Sequence, residues 1–254
     1  MTWTLDRTSD VPCWRHSDAP RGALLAFTTR RGGVSPAPFD TLNLGRSTAD
    51  DPGNVTENRF RLLRRLGAEP AALATAGQVH GTRVAEVAAP GHEPDCDALL
   101  TTVPGLALAV TTADCMSLLF TAPGAVAAAH AGWRGTVAGM PRAVLSALMA
   151  RTGGSPSDIT VHIGPCIRGC CYEVGDEVAS GFPAAALRRV TGRFRLDLPT
   201  AAVIALREAG LSADAIHDTG ACTACEPHWY FSHRRDAGAT GRLWGVARLG
   251  QDGS

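Results

Sequence analysis

The sequence predicts an α+β fold built on mixed β-sheets, and three observations carry that expectation. Short apolar runs at residues 97–101, 106–111, 117–121 and 125–129 are partly continuous, as in central strands covered on both faces. Helical segments fall between such runs irregularly instead of after each one, which argues against a doubly wound sheet. The G-x-x-G fragments do not assemble into a dinucleotide-binding fingerprint. At 254 residues and 45% hydrophobic the chain can bury a sizeable core. We expect one domain over residues 1–254, with residues 1–22 a peripheral N-terminal segment.

In chain order, residues 24–29 form a strand, followed by Arg30-Arg31-Gly32-Gly33-Val34-Ser35, a loop with turn chemistry and two guanidinium groups. After the turn at residues 50–53, Asn54 with Glu57 resembles a capping box opening a helix to Leu66, stopped by Gly67. Residues 73–79 and 83–87 look like paired strands around His80-Gly81. A helix over 137–150 follows the HAGWRG turn, with Pro141 in its first turn or kinking it. Residues 159–164 form a strand, and Pro199 opens a helix ending near Gly210. Residues 229–232 and 243–249 close the chain as strands.

Charge and composition exclude several function classes. With 24 basic and 24 acidic residues the net charge is zero and no basic run stands out, so nucleic acid is a poor partner. Every basic residue other than histidine is arginine, which rules out a lysine Schiff base or a P-loop lysine. Arginine suits bidentate recognition of phosphate or carboxylate, although a GC-rich genome would bias composition the same way. The N-terminus lacks an apolar signal core, and no run approaches the ~18 apolar residues of a membrane span. Eight cysteines fit reduced thiols better than a disulfide scaffold. The expectation is a soluble cytoplasmic protein without a membrane partner, a monomer or weak homodimer.

Chemistry-bearing residues stand at strand ends. His80 lies in QVHG, Cys115 follows Asp114 in TTADC, and His130 begins HAGWRG. Two imidazoles and a thiolate suit Zn²⁺ and leave a fourth position for water or substrate. The separations of 35 and 15 residues match no compact zinc motif, so hydrogen-bonded turn histidines and an inert thiol remain open. Asp114 is either a catalytic or supporting carboxylate or a solvated turn residue. Arg30 and Arg31 either cradle phosphate or are exposed. Cys222 and Cys225 form a C-x-x-C that Cys166, Cys170 and Cys171 would complete as a Cys₄ site. Only one pair has metal-site spacing, so Cys225 is taken as incidental.

Ten motifs in order then carry a resemblance: RRGGVS (30–35), LNLG (42–45), ENR (57–59), QVHG (78–81), TTADC (111–115), HAGWRG (130–135), IGPCI (163–167), CYEVG (171–175), Cys222-Thr223, and FSHRRD (231–236) with TGR (240–242). Over residues 24–249 the chain resembles the YfiH/YlmD laccase-domain family of purine nucleoside phosphorylases. The resemblance implies a four-layer α/β/β/α fold with mixed sheets. It also implies zinc-dependent phosphorolysis of adenosine, inosine, guanosine and S-methyl-5′-thioadenosine, with adenosine deaminase activity. His80, Cys115 and His130 fall on the family's zinc ligands, which also makes them catalytic, with Asp114 beside them. Arg31, Ser35, Asn43, Arg59, Arg134 and Arg234 fall on motif positions expected near purine nucleoside and phosphate. Departures are Ser117 where a proline is usual, His233 where an aromatic is common, and the extra thiols Cys166 and Cys170; these bear on substrate preference, not on the ligands.

Three rivals stand beside this reading. Multicopper oxidation needs about ten histidines, largely in H-x-H pairs; the chain has eight and no H-x-H. Cu²⁺ would nonetheless compete for the same zinc site. A metal-free cysteine amidase editing peptidoglycan precursors would use Cys115 as nucleophile and His80 or His130 as base. A non-catalytic partner of an envelope complex would turn over no nucleoside.

Overall fold

The computed structural model describes residues 3–16 and 22–250. Strands Trp3–Asp6 (β1), Cys13–His16 (β2) and Leu24–Thr28 (β3) run antiparallel in succession. The described part of the expected peripheral segment thus lies at a sheet edge, yet it buries Trp3 and Cys13; the rest of residues 1–22, apart from Gly22, is outside the described residues.

The first helix is Pro52–Arg65 (α1), and Asp51 caps it, its Oδ1 accepting from Gly53 N at 2.6 Å and Asn54 N at 3.3 Å. The expected cap at Asn54 lies one turn too late. Asp51 is extended and Pro52 supplies a helical φ at the first turn, so the helix starts where the proline can sit. Arg64 and Arg65 in the last turn complement its dipole.

Next come Leu73–Ala76 (β4), Val84–Glu86 (β5), Gly91–Glu93 (β6), Ala98–Thr101 (β7), Ala107–Thr112 (β8), Met116–Ala122 (β9) and Ala125–Ala131 (β10). The expected pairing of 73–79 with 83–87 does not occur. β4 lies parallel to β8 and β6, whereas β5 lies parallel to β7 in a different sheet. Beyond β10 the single helix expected at 137–150 is two, Trp133–Val137 (α2) and Met140–Thr152 (α3). Gly139, at φ +96°, breaks between them and Pro141 sits in the first turn of α3.

The remaining elements are Thr160–Ile163 (β11), Glu173–Val174 (β12), Asp176–Ala179 (α4), Leu187–Val190 (β13), Arg193–Leu196 (β14), Leu198–Glu208 (α5), Ile216–Asp218 (β15) and Leu243–Arg248 (β16). Residues 229–232 are not a strand. Trp229 N and Tyr230 N both donate to Glu226 O in a turn, and Tyr230 and Phe231 are buried in a small aromatic cluster. Their burial comes from packing, not from a ladder.

Two large sheets dominate. A seven-stranded one has the order β1-β2-β3-β16-β8-β4-β6 and a six-stranded one β15-β11-β9-β10-β7-β5; β12-β14-β13 form a third. The layers follow from side-chain alternation. Ala26, Ala109 and Val246 face α1 through Leu62 and Leu63. Leu25, Phe27, Leu108 and Val110 meet Leu99, Leu119, Val126 and Ala128 between the sheets. Leu118, Phe120, Ala127 and Ala129 face α3 and α5 through Val144, Leu148, Ala202 and Leu206. The architecture is therefore α/β/β/α with mixed sheets, as expected. Each buried leucine or phenylalanine contributes about 1.5–3 kcal/mol, so the two inner layers form a rigid platform. No helix among the described residues is long and apolar enough to cross a membrane.

Candidate active site

The chain passes from the seven-stranded to the six-stranded sheet three times within this platform, and two of these crossings carry a candidate ligand. β4 leads through Gln78-Val79-His80-Gly81 to β5, and β8 leads through Ala113-Asp114-Cys115 to β9. His130 stands near the end of β10 opposite Ser117 of β9. The ligand atoms of His80, Cys115 and His130 all lie within 4.8 Å of one another. The two imidazole rings are nearly perpendicular, 85° apart, with centroids 4.8 Å apart.

Asp97, read from sequence only as the start of a strand, organises this cluster. It is wholly buried, and its carboxylate accepts from the N–H groups of Val79 (3.0 Å), His80 (2.9 Å) and Gly81 (2.7 Å). These bonds gather the QVHG turn around one carboxylate and explain why the chain does not fold back as a hairpin. Asp97 Oδ1 also meets His130 Nδ1 at 2.8 Å, while its backbone carbonyl accepts from His130 N. That bond fixes the ring and leaves Nε2 for a metal, a carboxylate–histidine–metal arrangement. Gln78 at φ +55°, His80 at +63° and Asp114 at +85° are three non-glycine residues in the left-handed region. Their clustering shows that the surroundings over-determine the site. Gln78 is held by a two-way amide pairing with the backbone of Thr111, at 2.6 and 2.7 Å.

Gly132 is required for a different reason. A Cβ there would lie 3.0 Å from Cys115 Sγ and 3.1 Å from His80 Cδ2. The first glycine of HAGWRG leaves the space that the Cys115 and His80 side chains occupy.

The electrostatics suit a soft cation. Burial alone would raise the Cys115 thiol, but facing His130 and His80 brings it down to about 6. Burial would lower His130, yet the Cys115 thiolate and Asp97 push it up to about 9. Burial also opposes ionisation of Asp97, and the bonds from His130 and the backbone N–H groups outweigh it, leaving its carboxyl below the usual range. Metal-free, the pair is a thiolate facing an imidazolium; a divalent cation would replace the shared proton.

The cluster opens into a cleft of about 920 Å³ that is also lined by Arg46, Arg59, Arg234 and Arg242 and by Trp133 and Tyr172. Arg59 donates through Nε and Nη2 to Leu44 O and stacks over Trp244 at 4.7 Å. Burial and the neighbouring charge of Arg46 bring it to about 10. Arg242 is likewise lowered by burial. Burial holds the Tyr172 phenol up at about 12, neutral at ordinary pH.

Of the expected substrate residues, only Arg59 and Arg234 line the cleft. Ser35 and Asn43 are buried in a polar network in which both donate to Asp50 Oδ2, at 2.6 and 2.9 Å, and Asn58 donates to Ser35. Asn43 acts at one remove, its Oδ1 accepting from Gly45 N and Arg242 N and so placing two cleft residues. Arg31 is exposed outside the cleft, and Arg134 stacks its guanidinium over Trp133 at 4.3 Å. Asp114 is 8% exposed and fully engaged, accepting from Thr223 Oγ1 at 2.6 Å and Arg234 N at 2.7 Å. Sequence reasoning passed over Arg46, Arg242, Tyr172 and Trp133, although Trp133, Tyr172 and Arg242 stand within quoted motifs and Arg46 directly follows one.

A family model described as multi-copper polyphenol oxidoreductase laccase matches residues 24–250. A purine nucleoside phosphorylase of Deinococcus radiodurans is 44% identical over 230 residues, 88% of each chain. One of Streptomyces coelicolor is 43% identical over 243 residues, 91% of this chain and 98% of that one. The crystal structure of YlmD from Geobacillus stearothermophilus aligns with a TM-score of 0.92 at 35% identity, covering 97% of this chain and 99% of that chain. Bacillus licheniformis YfiH aligns with a TM-score of 0.87 at 32% identity, over 92% and 98%. With these matches and this architecture, the chain belongs to the YfiH/YlmD laccase-domain family.

Proposed function

We propose that this protein is a zinc-dependent purine nucleoside phosphorylase acting on adenosine, inosine, guanosine and S-methyl-5′-thioadenosine, with adenosine deaminase activity at the same site. The observation that carries the reading is the convergence of His80, Cys115 and His130 at the floor of an arginine-lined cleft. Two nitrogens and one sulfur from three separate segments would suit zinc, and three protein ligands would leave a position for water or substrate. The names of the relatives support the substrate class.

Phosphorolysis requires phosphate held beneath the sugar and charge stabilised as the base leaves. Arg46, Arg59, Arg234 and Arg242 supply cationic donors for phosphate. Trp133 and Tyr172 offer aromatic faces to a purine. Bound zinc would supply a Lewis acid at the floor. Asp97 keeps His130 oriented, and Asp114 holds the 223 and 234 segments against the cleft, which makes both positioning residues.

One observation favours the cysteine amidase: a thiolate paired with an imidazolium is also the resting form of a cysteine nucleophile. Assays with adenosine and inosine, with and without phosphate, separate the readings by following free base, ribose 1-phosphate and ammonia. Phosphate-dependent base release is expected. Ammonia alone would make the protein a deaminase, and no turnover of any nucleoside would move the assignment to the amidase.

A further inference from the structure

Away from the cleft floor, four cysteines from two segments meet at the surface. Cys170 Sγ lies 3.5 Å from Cys222 Sγ and 3.4 Å from Cys225 Sγ, and Cys171 Sγ lies 3.2 Å from Cys225 Sγ. All four sulfurs fall within 4.8 Å of one another. Cys225, taken from the sequence as incidental, is central to the group, and Cys166 is excluded from it, wholly buried in the hydrophobic core. We propose that Cys170, Cys171, Cys222 and Cys225 bind a second, structural zinc ion.

The geometry matches the metal. Four sulfurs about 2.3 Å from one zinc stand about 3.8 Å apart along the tetrahedron's edges, close to the spacings here. An iron–sulfur cluster would hold its cysteines farther apart, because inorganic sulfide stands between them. Cys222 and Cys225 form a C-x-x-C turn, the ordinary half of a tetrathiolate site. The other half comes from the turn in which Cys171 N and Tyr172 N both donate to Arg168 O at 2.8 Å. With no open position and only sulfur donors, the site would be structural.

Its placement gives it a task. Residue 222 precedes Thr223, which donates to Asp114, and residue 171 precedes Tyr172, which lines the cleft. The parallel bridge between Cys166 and Cys222 ties the same two segments. A zinc ion here would clamp them together behind the wall of the catalytic cleft.

Metal content tests this without relying on activity. Protein purified without added metal is analysed for zinc and iron as wild type, as Cys115→Ala and as Cys222→Ser/Cys225→Ser. The Cys115→Ala protein, its cleft site broken, is expected to keep one zinc per chain. The double variant is expected to hold one zinc fewer than wild type. Because the double variant could misfold, cobalt loaded into metal-depleted Cys115→Ala provides a second readout, expected to show tetrahedral tetrathiolate bands. A Cys115→Ala chain without zinc, with iron in its place, or with the mass deficit of a disulfide among these cysteines would overturn the assignment.

Discussion

The two cysteine-containing clusters differ in what surrounds them. Cys115 lies among two imidazoles, at a point where two buried sheets exchange strands, with Asp97 behind one ligand and a cleft in front. The sulfurs of Cys170, Cys171, Cys222 and Cys225 gather on loops outside the two large sheets, with no imidazole or carboxylate in the group and with Cys170 and Cys225 exposed. Mixed donors with an open side suit catalysis; four sulfurs closing on themselves suit cross-linking. The contrast shows how the same ligand atom is assigned opposite tasks by neighbours and burial.

Substitution at each cluster should separate those tasks. Cys115→Ala is expected to reduce phosphorolysis and deamination together to background while leaving the thermal midpoint close to wild type. Persistence of either activity near the wild-type rate would rule out a single shared site. Asp97→Asn keeps the shape but withdraws the charge that orients His130. A loss of about 10–100-fold in zinc affinity or activity is expected, from zinc titration and steady-state rates. An unchanged affinity would mean that the backbone bonds alone hold the site.

Thiol reactivity sharpens the contrast. In metal-free protein, alkylation of Cys115 should rise through about pH 6, because above that value the thiolate persists beside protonated His130. Cys170 is driven to about 11 by burial and by its neighbours Cys225 and Cys222, and Cys225 to about 11 by Cys171. Those thiols should therefore react only in alkaline solution. Peptide mapping after pulse alkylation reads both profiles; equal reactivity at pH 7 would contradict the electrostatic account. The smallest effect tests the link between the clusters. Thr223→Val removes one donor from the buried Asp114 carboxylate and should cost about 1–3 kcal/mol of stability by denaturant unfolding, with metal content unchanged.

Much of this was legible from residues alone. The mixed sheets followed from short continuous apolar runs such as 117–121 and 125–129 and from their irregular alternation with helices, and the three candidate ligands were visible near strand ends but were grouped only by the family resemblance. Asp97 was not legible, because its role depends on three N–H groups from a turn nearly twenty residues upstream. The hairpin expected around His80 failed for that same reason. Ser35 and Asn43 were placed near substrate because motif position does not distinguish a residue that touches the cleft from one that holds it in place. Arg46 and Arg242 come together from opposite ends of the chain, a juxtaposition that only the strand order between them creates. Cys225 was discounted because spacing could show only one metal-like pair, whereas its partners arrive from an irregular loop more than fifty residues earlier.

The most direct measurement is phosphate-dependent purine release by wild-type protein stripped of metal and then titrated with zinc. The expected result is no release from the stripped protein and recovery as zinc fills the His80–Cys115–His130 site. Release at near the original rate before any zinc is added would contradict the zinc-dependent account.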